Sequence, residues 1–158
     1  MGKMFIAVTM AYALATGAVA APPAPAERTD IINFDAADAK MNAAIAEAKR
    51  SFPDFLAAYR SGRYDSDSFV FKYPLGGFEH IWVSFDRIEG DTLVGQLANV
   101  PEQPGFRIGQ EVRVPVSDIS DWAYRGTDGV IVGHRTTRVM LGLMDEETRR
   151  STIDYMGW

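Results

Sequence analysis

The sequence predicts an α+β domain. Three observations carry this: one helical apolar stripe between residues 41 and 59, a change to period-two patterning from residue 68, and a return to helical spacing after Gly133. In the first stretch Met41, Ile45, Ala48, Phe52, Leu56 and Tyr59 recur at intervals of three and four, which places them on one helix face. Asp35 and Asp38 stand near its start, where the helix dipole favours anions. Pro53 lacks the amide proton that the helix ladder needs, so a kink or two abutting helices is expected there, with Gly62 as the stop.

Strands are expected at about 68–73, 78–87, 91–98, 110–116, 121–125 and 129–133. The breaks carry turn residues: Gly76-Gly77, Glu89-Gly90, Gly105, Gly109, Gly126 and Asp128-Gly129. Short links favour antiparallel pairing, so the expectation is a meandering sheet of five or six strands with helices before and after it. Val139, Met140, Leu143 and Met144 form one patch after Gly133, and Asp145 can cap a last helix containing Ile153 and Met156.

The N-terminus reads as an export signal. Met1-Gly2-Lys3 is a short basic start, Met4–Ala20 is apolar and uncharged, and Ala18-Val19-Ala20 is a small-x-small cleavage site. The expected organisation is a signal peptide over 1–20, a Pro/Ala-rich linker over 21–33 and a single domain over 34–158, in the periplasm or secreted, with no membrane span after cleavage. The chain has 158 residues, formal charge −5, 47% apolar and 23% charged residues, and no cysteine. These values exclude a disulfide scaffold, a thiol nucleophile and a cysteine metal site. The acidic balance, with scattered basic residues, argues against a nucleic-acid partner.

Five ordered stretches resemble the YegJ-like bacterial domain family: Glu79-His80-Ile81-Trp82-Val83, Gly95-x-Leu97-x-Asn99-x-Pro101, Ile108-Gly109-Gln110, Ile119-Ser120-Asp121-Trp122 and Gly133–Leu141. The resemblance covers roughly residues 36–144, with a shorter loop at Pro74-Leu75-Gly76-Gly77. It implies a small exported or domain-fused α+β protein and no assigned activity.

Three constellations are candidate sites. With Glu89-Gly90 as a two-residue loop, His80 faces Asn99, Trp82 faces Leu97 and Ser84 faces Gly95, while Ile81, Val83, Phe85, Val94 and Ala98 form the core face that the helix stripe covers. The first face is either a binding platform, with Trp82 to stack on and His80 held by Asn99, or a face covered by the C-terminal helices. Ser117-Asp118-Ile119-Ser120-Asp121-Trp122 is either a carboxylate site or a capped single turn whose Asp121 bonds nearby amides. Gly133-His134-Arg135-Thr136-Thr137-Arg138 places Arg135 and Arg138 at a helix start, against the dipole. That predicts a compensating anion: a bound carboxylate or phosphate, or Asp118 or Asp121. Arg138 is expected to pair with one of these two, shielded by Trp122.

No Gly-x-Ser-x-Gly, P-loop or Rossmann fingerprint occurs. His80 and Ser84 lie too far apart along one strand face to bond. No metal or cofactor is expected. The functional expectation is a non-enzymatic, exported binding module, inhibitor-like or immunity-like, whose partner is an envelope or extracellular protein or polymer. The alternative is a cell-envelope hydrolase using carboxylates with His80.

Overall fold

In a computed structural model, residues 38–158 are described. The expected signal and linker, and Asp35, lie outside these residues. Helix α1 spans Ala39–Arg50 and α2 spans Phe52–Arg60. The Asp38 carboxylate caps α1 by accepting the amides of Lys40 and Met41. Pro53 resolves as abutment: Ser51 ends α1, and Pro53 stands in the first turn of α2, where its missing amide costs nothing.

The strands are β1 Val70–Leu75, β2 Glu79–Glu89, β3 Thr92–Leu97, β4 Glu111–Pro115, β5 Asp121–Arg125 and β6 Ile131–Gly133. They form one six-stranded antiparallel sheet in the order β4-β3-β2-β1-β5-β6. β1 to β4 meander, and the chain then returns to pair β5 with the free side of β1. The link over 116–120 includes a single 3-10 turn, Val116–Asp118. A flat sheet would put β4 and β5 about 19 Å apart, near the reach of the fully extended link. The sheet must therefore curl. An open groove of about 500 Å³ accordingly brings Tyr73 and Pro74 of β1 and Arg113 and Val114 of β4 to one opening. Helices α3, Arg135–Met140, and α4, Glu146–Met156, complete the chain. Asp145 caps α4 by accepting the Thr148 amide.

The β2–β3 register differs from the expected one. The turn is Gly90-Asp91, with Glu89 opposite Thr92, and an irregularity between Phe85 and Arg87 shifts the ladder once more. Val83 therefore faces Leu97, and Phe85 faces Gly95. Leu97 is a core residue rather than the neighbour of Trp82, and Val94 and Ala98 belong to the opposite face. The cause is a bulge at Asp86, whose displaced carbonyl accepts the Tyr59 hydroxyl at 3.0 Å. Gly95 serves this close pairing, because a Cβ there would lie 2.1 Å from the Ser84 carbonyl oxygen.

Helices cover both faces of the sheet. α1 and α2 pack Ala48, Phe52 and Phe55 onto Phe71, Val83, Leu97 and Trp122. On the other face Met156 and Trp158 pack with Ala123, Ile131 and Trp82. Trp82 is thus half-buried beneath the C-terminal segment.

Candidate functional site

The polar centre of the second face is Asp121, fully buried at the start of β5. Its strand partner is Lys72 of β1. Gly133 closes β6 with φ of 91°, and a Cβ there would lie 2.1 Å from the Trp122 carbonyl oxygen. His134 follows in the left-handed region at φ 52°. That conformation costs a β-carbon residue on the order of 1 kcal/mol. These two residues turn α3 so that its first amides point at Asp121.

The Asp121 carboxylate accepts the amides of Trp122 (2.9 Å), Arg135 (3.2 Å) and Thr136 (2.7 Å), and the Thr136 hydroxyl (2.6 Å). It is the anion at this helix start. Lys72 donates to the Thr136 hydroxyl at 2.9 Å and sits 4.5 Å from the Trp82 ring centre. Burial pushes Lys72 down to about 8, opposed by the charge of Asp121. The chain Lys72–Thr136–Asp121 is closed to solvent, so a substrate has no approach to the Thr136 hydroxyl.

His134 lies 4.3 Å from Trp82, ring centre to ring centre, and its Nδ1 bonds the Thr137 hydroxyl at 2.9 Å. Burial, then Lys72 and Arg138, push its pKa down to about 3. The unfolded chain takes up this proton near the ordinary value of 6.5, whereas the folded chain resists until about 3. Stability should therefore fall as pH drops from 6.5 towards 3, and be unaffected by this group above that window. His134→Asn keeps a residue that tolerates left-handed backbone and removes the titration. Urea midpoints should fall less steeply with acid in the variant. Identical slopes in the two proteins would refute this. His80 adds acid sensitivity of the same sign to both, because partial desolvation of its ring where it meets the protein, and then Lys72, lower its pKa.

His80 is exposed, and its Nδ1 bonds Ser120 Oγ at 2.9 Å. Its expected partner Asn99 instead accepts the Trp82 amide with its side-chain oxygen. Ser120 is buried and orients the imidazole. No carboxylate bonds His80 among the described residues. Asp118 and Trp122 stand apart from this group. Asp118 is exposed in the 3-10 turn, which has no side-chain cap, and accepts the Ser117 hydroxyl. Trp122 lies in the opposite core, with Nε1 donating to the Ala48 carbonyl at 2.9 Å.

The expected Arg138–carboxylate pair is not formed. Asp121 is taken up by amides and a hydroxyl, and the exposed Arg138 guanidinium lies 3.5 Å from the Trp158 ring centre. Arg135 stacks on Trp122 at 4.4 Å, with Glu47 Oε1 4.0 Å from its Nε. Sequence reasoning missed Lys72 and Thr136. Their only signal is a lone lysine in the apolar strand Val70-Phe71-Lys72-Tyr73-Pro74-Leu75. Among the described residues, no three of His, Cys, Asp or Glu cluster as metal ligands, and no helix is long and apolar enough to cross a membrane.

A bacterial family, DUF2314, described as "uncharacterized protein conserved in bacteria", matches residues 38–157. The chain belongs to that family. The DUF2314 match spans α1 through α4, so both helical layers are part of the family domain. The chain is 27% identical over 111 residues to the uncharacterized protein YegJ of Escherichia coli, covering 68% of this chain and 71% of that protein. It is 39% identical over 72 residues to a putative ankyrin repeat protein of Neisseria meningitidis serogroup B, covering 45% of this chain and 28% of that one. The motif resemblance to a YegJ-like domain therefore holds along this DUF2314 chain. No solved structure matches it.

Proposed function

We propose that this protein is an exported, non-catalytic binding module of the bacterial cell envelope, and that its partner is a protein. The carrying observation is a pair of mutually anchored loops that expose large apolar side chains. The Glu79 carboxylate, buried at the start of β2, accepts the amides of Glu102 (2.9 Å) and Gln103 (3.2 Å) from the β3–β4 loop. Gln103 in turn donates to the Leu75 carbonyl at 2.6 Å, which ties that loop to the β1–β2 turn. On these loops Phe78 is 78% exposed, Val100 55% and Ile108 47%. Loops positioned by a rigid scaffold carry binding residues disproportionately, and exposed apolar patches mark interaction sites. The polar groups of the other face point the same way: Lys72 and Asp121 are both taken up by Thr136 between them. Export rests on the Ala18-Val19-Ala20 cleavage pattern behind an apolar run.

Phe78→Ser combined with Ile108→Ser removes exposed apolar area and leaves the core untouched. The double variant should keep its thermal midpoint and lose cross-linking to its envelope partner in cells. Equal cross-linking by variant and wild type would sink the reading. The exported form should begin at Ala21 by mass spectrometry, and full-length chain held in the inner membrane would contradict export.

A further inference from the structure

The sheet ends in two edge strands, β4 and β6. β6 is three residues long, and its Ile131 carbonyl accepts the Trp158 indole N–H at 3.0 Å. Among the described residues β4 has no such cover. Flanking bonds fix its ladder with β3 at both ends: the Leu97 amide donates to the Gln110 carbonyl at 3.0 Å, and the Val116 amide to the Asp91 carbonyl at 2.8 Å. Hydrogen-bonded pairs alternate along an antiparallel ladder, so Val112 and Val114 spend their main-chain groups on β3. Glu111 and Arg113 therefore turn their amides and carbonyls outward, and no described residue bonds them. An open row of this kind is a template for another strand.

The side chains select the partner. Val112 and Val114 are buried, whereas Glu111 and Arg113 alternate with them and are exposed. Arg113 spends one N–H group on Glu89 at 2.6 Å, and the Glu111 carboxylate makes no hydrogen bond or ion pair among the described residues. These opposite charges stand on either side of Val112. We propose that β4 pairs antiparallel with the β4 of a second copy of this chain, about a two-fold axis at Val112. In that register Glu111 of each copy lies opposite Arg113 of the other, and each such pair exchanges main-chain hydrogen bonds through the outward groups. Centring the axis on Glu111 or Arg113 would set like charges face to face, which is unfavourable. The pairing also stops where the donors stop. Pro115 has no N–H, and it would meet Gly109, whose amide is already bonded to the Leu97 carbonyl at 2.7 Å. Charges that guard an edge strand usually repel a copy, whereas these attract one.

The test is sedimentation equilibrium of the full chain and of two charge reversals at exposed positions, Arg113→Glu and Glu111→Arg. Wild type should dimerise as its concentration rises. Each variant alone should self-associate about ten-fold or more weakly, because both cross-strand pairs become repulsive. An equimolar mixture of the two variants should recover the dimer, since every arginine then meets a glutamate. Val112→Cys reads the register directly. The chain has no cysteine, and residues on the axis of such a pair face each other at about 4.5 Å, within disulfide reach. Oxidation should therefore join two copies of Val112→Cys. Glu111→Cys should stay single, because its counterpart lies beyond about 7 Å. A wild type still monomeric at about 1 mM would overturn the proposal. So would variants that self-associate as well as wild type, a mixture no better associated than either variant alone, or cross-linking at Glu111 and not at Val112. Phe78 and Ile108 are untouched throughout, so this proposal and the loop reading fail separately.

Discussion

Phe55→Ala is expected to destabilise the protein by about 3–5 kcal/mol, the range for emptying a packed aromatic site. Phe55 is fully buried where α2 meets the sheet. Its ring centre lies 5.3 Å from those of Phe52, Phe69 and Phe85, and 5.6 Å from that of Trp122. These neighbours belong to α2, the residue preceding β1, β2 and β5, so the space left by the ring cannot be closed by one side chain moving. Trp122 is further tethered through Nε1 to Ala48. Phe52→Ala should fall at the lower end of that range, because Phe55 is its ring neighbour. A urea series showing a loss below about 1 kcal/mol for Phe55→Ala would mean that the helical layer is not seated on this face.

The seating of that layer was legible in the spacing of Met41 to Tyr59, because an apolar stripe on a helix has one physical use. Asp145 was legible as a cap and Asp38 as an anion at a helix start, because the carboxylate that does either job stands at the first turn, bonding amides two or three residues ahead. The β2–β3 register was not legible. It depends on a bulge whose carbonyl is satisfied by Tyr59, which stands 27 residues earlier, and no local pattern encodes that contact. Once the register slipped, Leu97 and Val94 exchanged faces, and Asn99 lost its expected place beside His80. The site shows the same division. Two arginines at a helix start did predict an anion, but the carboxylate meets the backbone of the helix rather than a guanidinium. Lys72 was hidden because its neutral-looking strand position becomes a site only when β5 returns to pair with β1, a pairing set by the curl of the sheet.

Asp121→Ala is expected to be as damaging as the core substitution, at about 3–5 kcal/mol. The carboxylate is fully buried and serves four donors, so its loss strands the amides of Arg135 and Thr136 and the hydroxyl of Thr136 together. It also leaves Lys72 charged in a buried place without its opposing anion, and burial already pushes that ammonium down to about 8. Removing the cation alone should be milder. In Lys72→Met the carboxylate keeps its four donors, and the desolvation cost of the ammonium disappears with it. The two variants should therefore differ by about 2 kcal/mol or more, with Asp121→Ala the less stable. Asp121→Asn should lie between them, since the amide oxygen still accepts from α3 but the charge is gone. Equal losses for Lys72→Met and Asp121→Ala in chemical denaturation would show that the pair, rather than the capping of α3, holds the C-terminal layer on the sheet. A negligible loss for Asp121→Ala would show that Met156, Trp158 and Trp82 hold that layer without help from the polar centre.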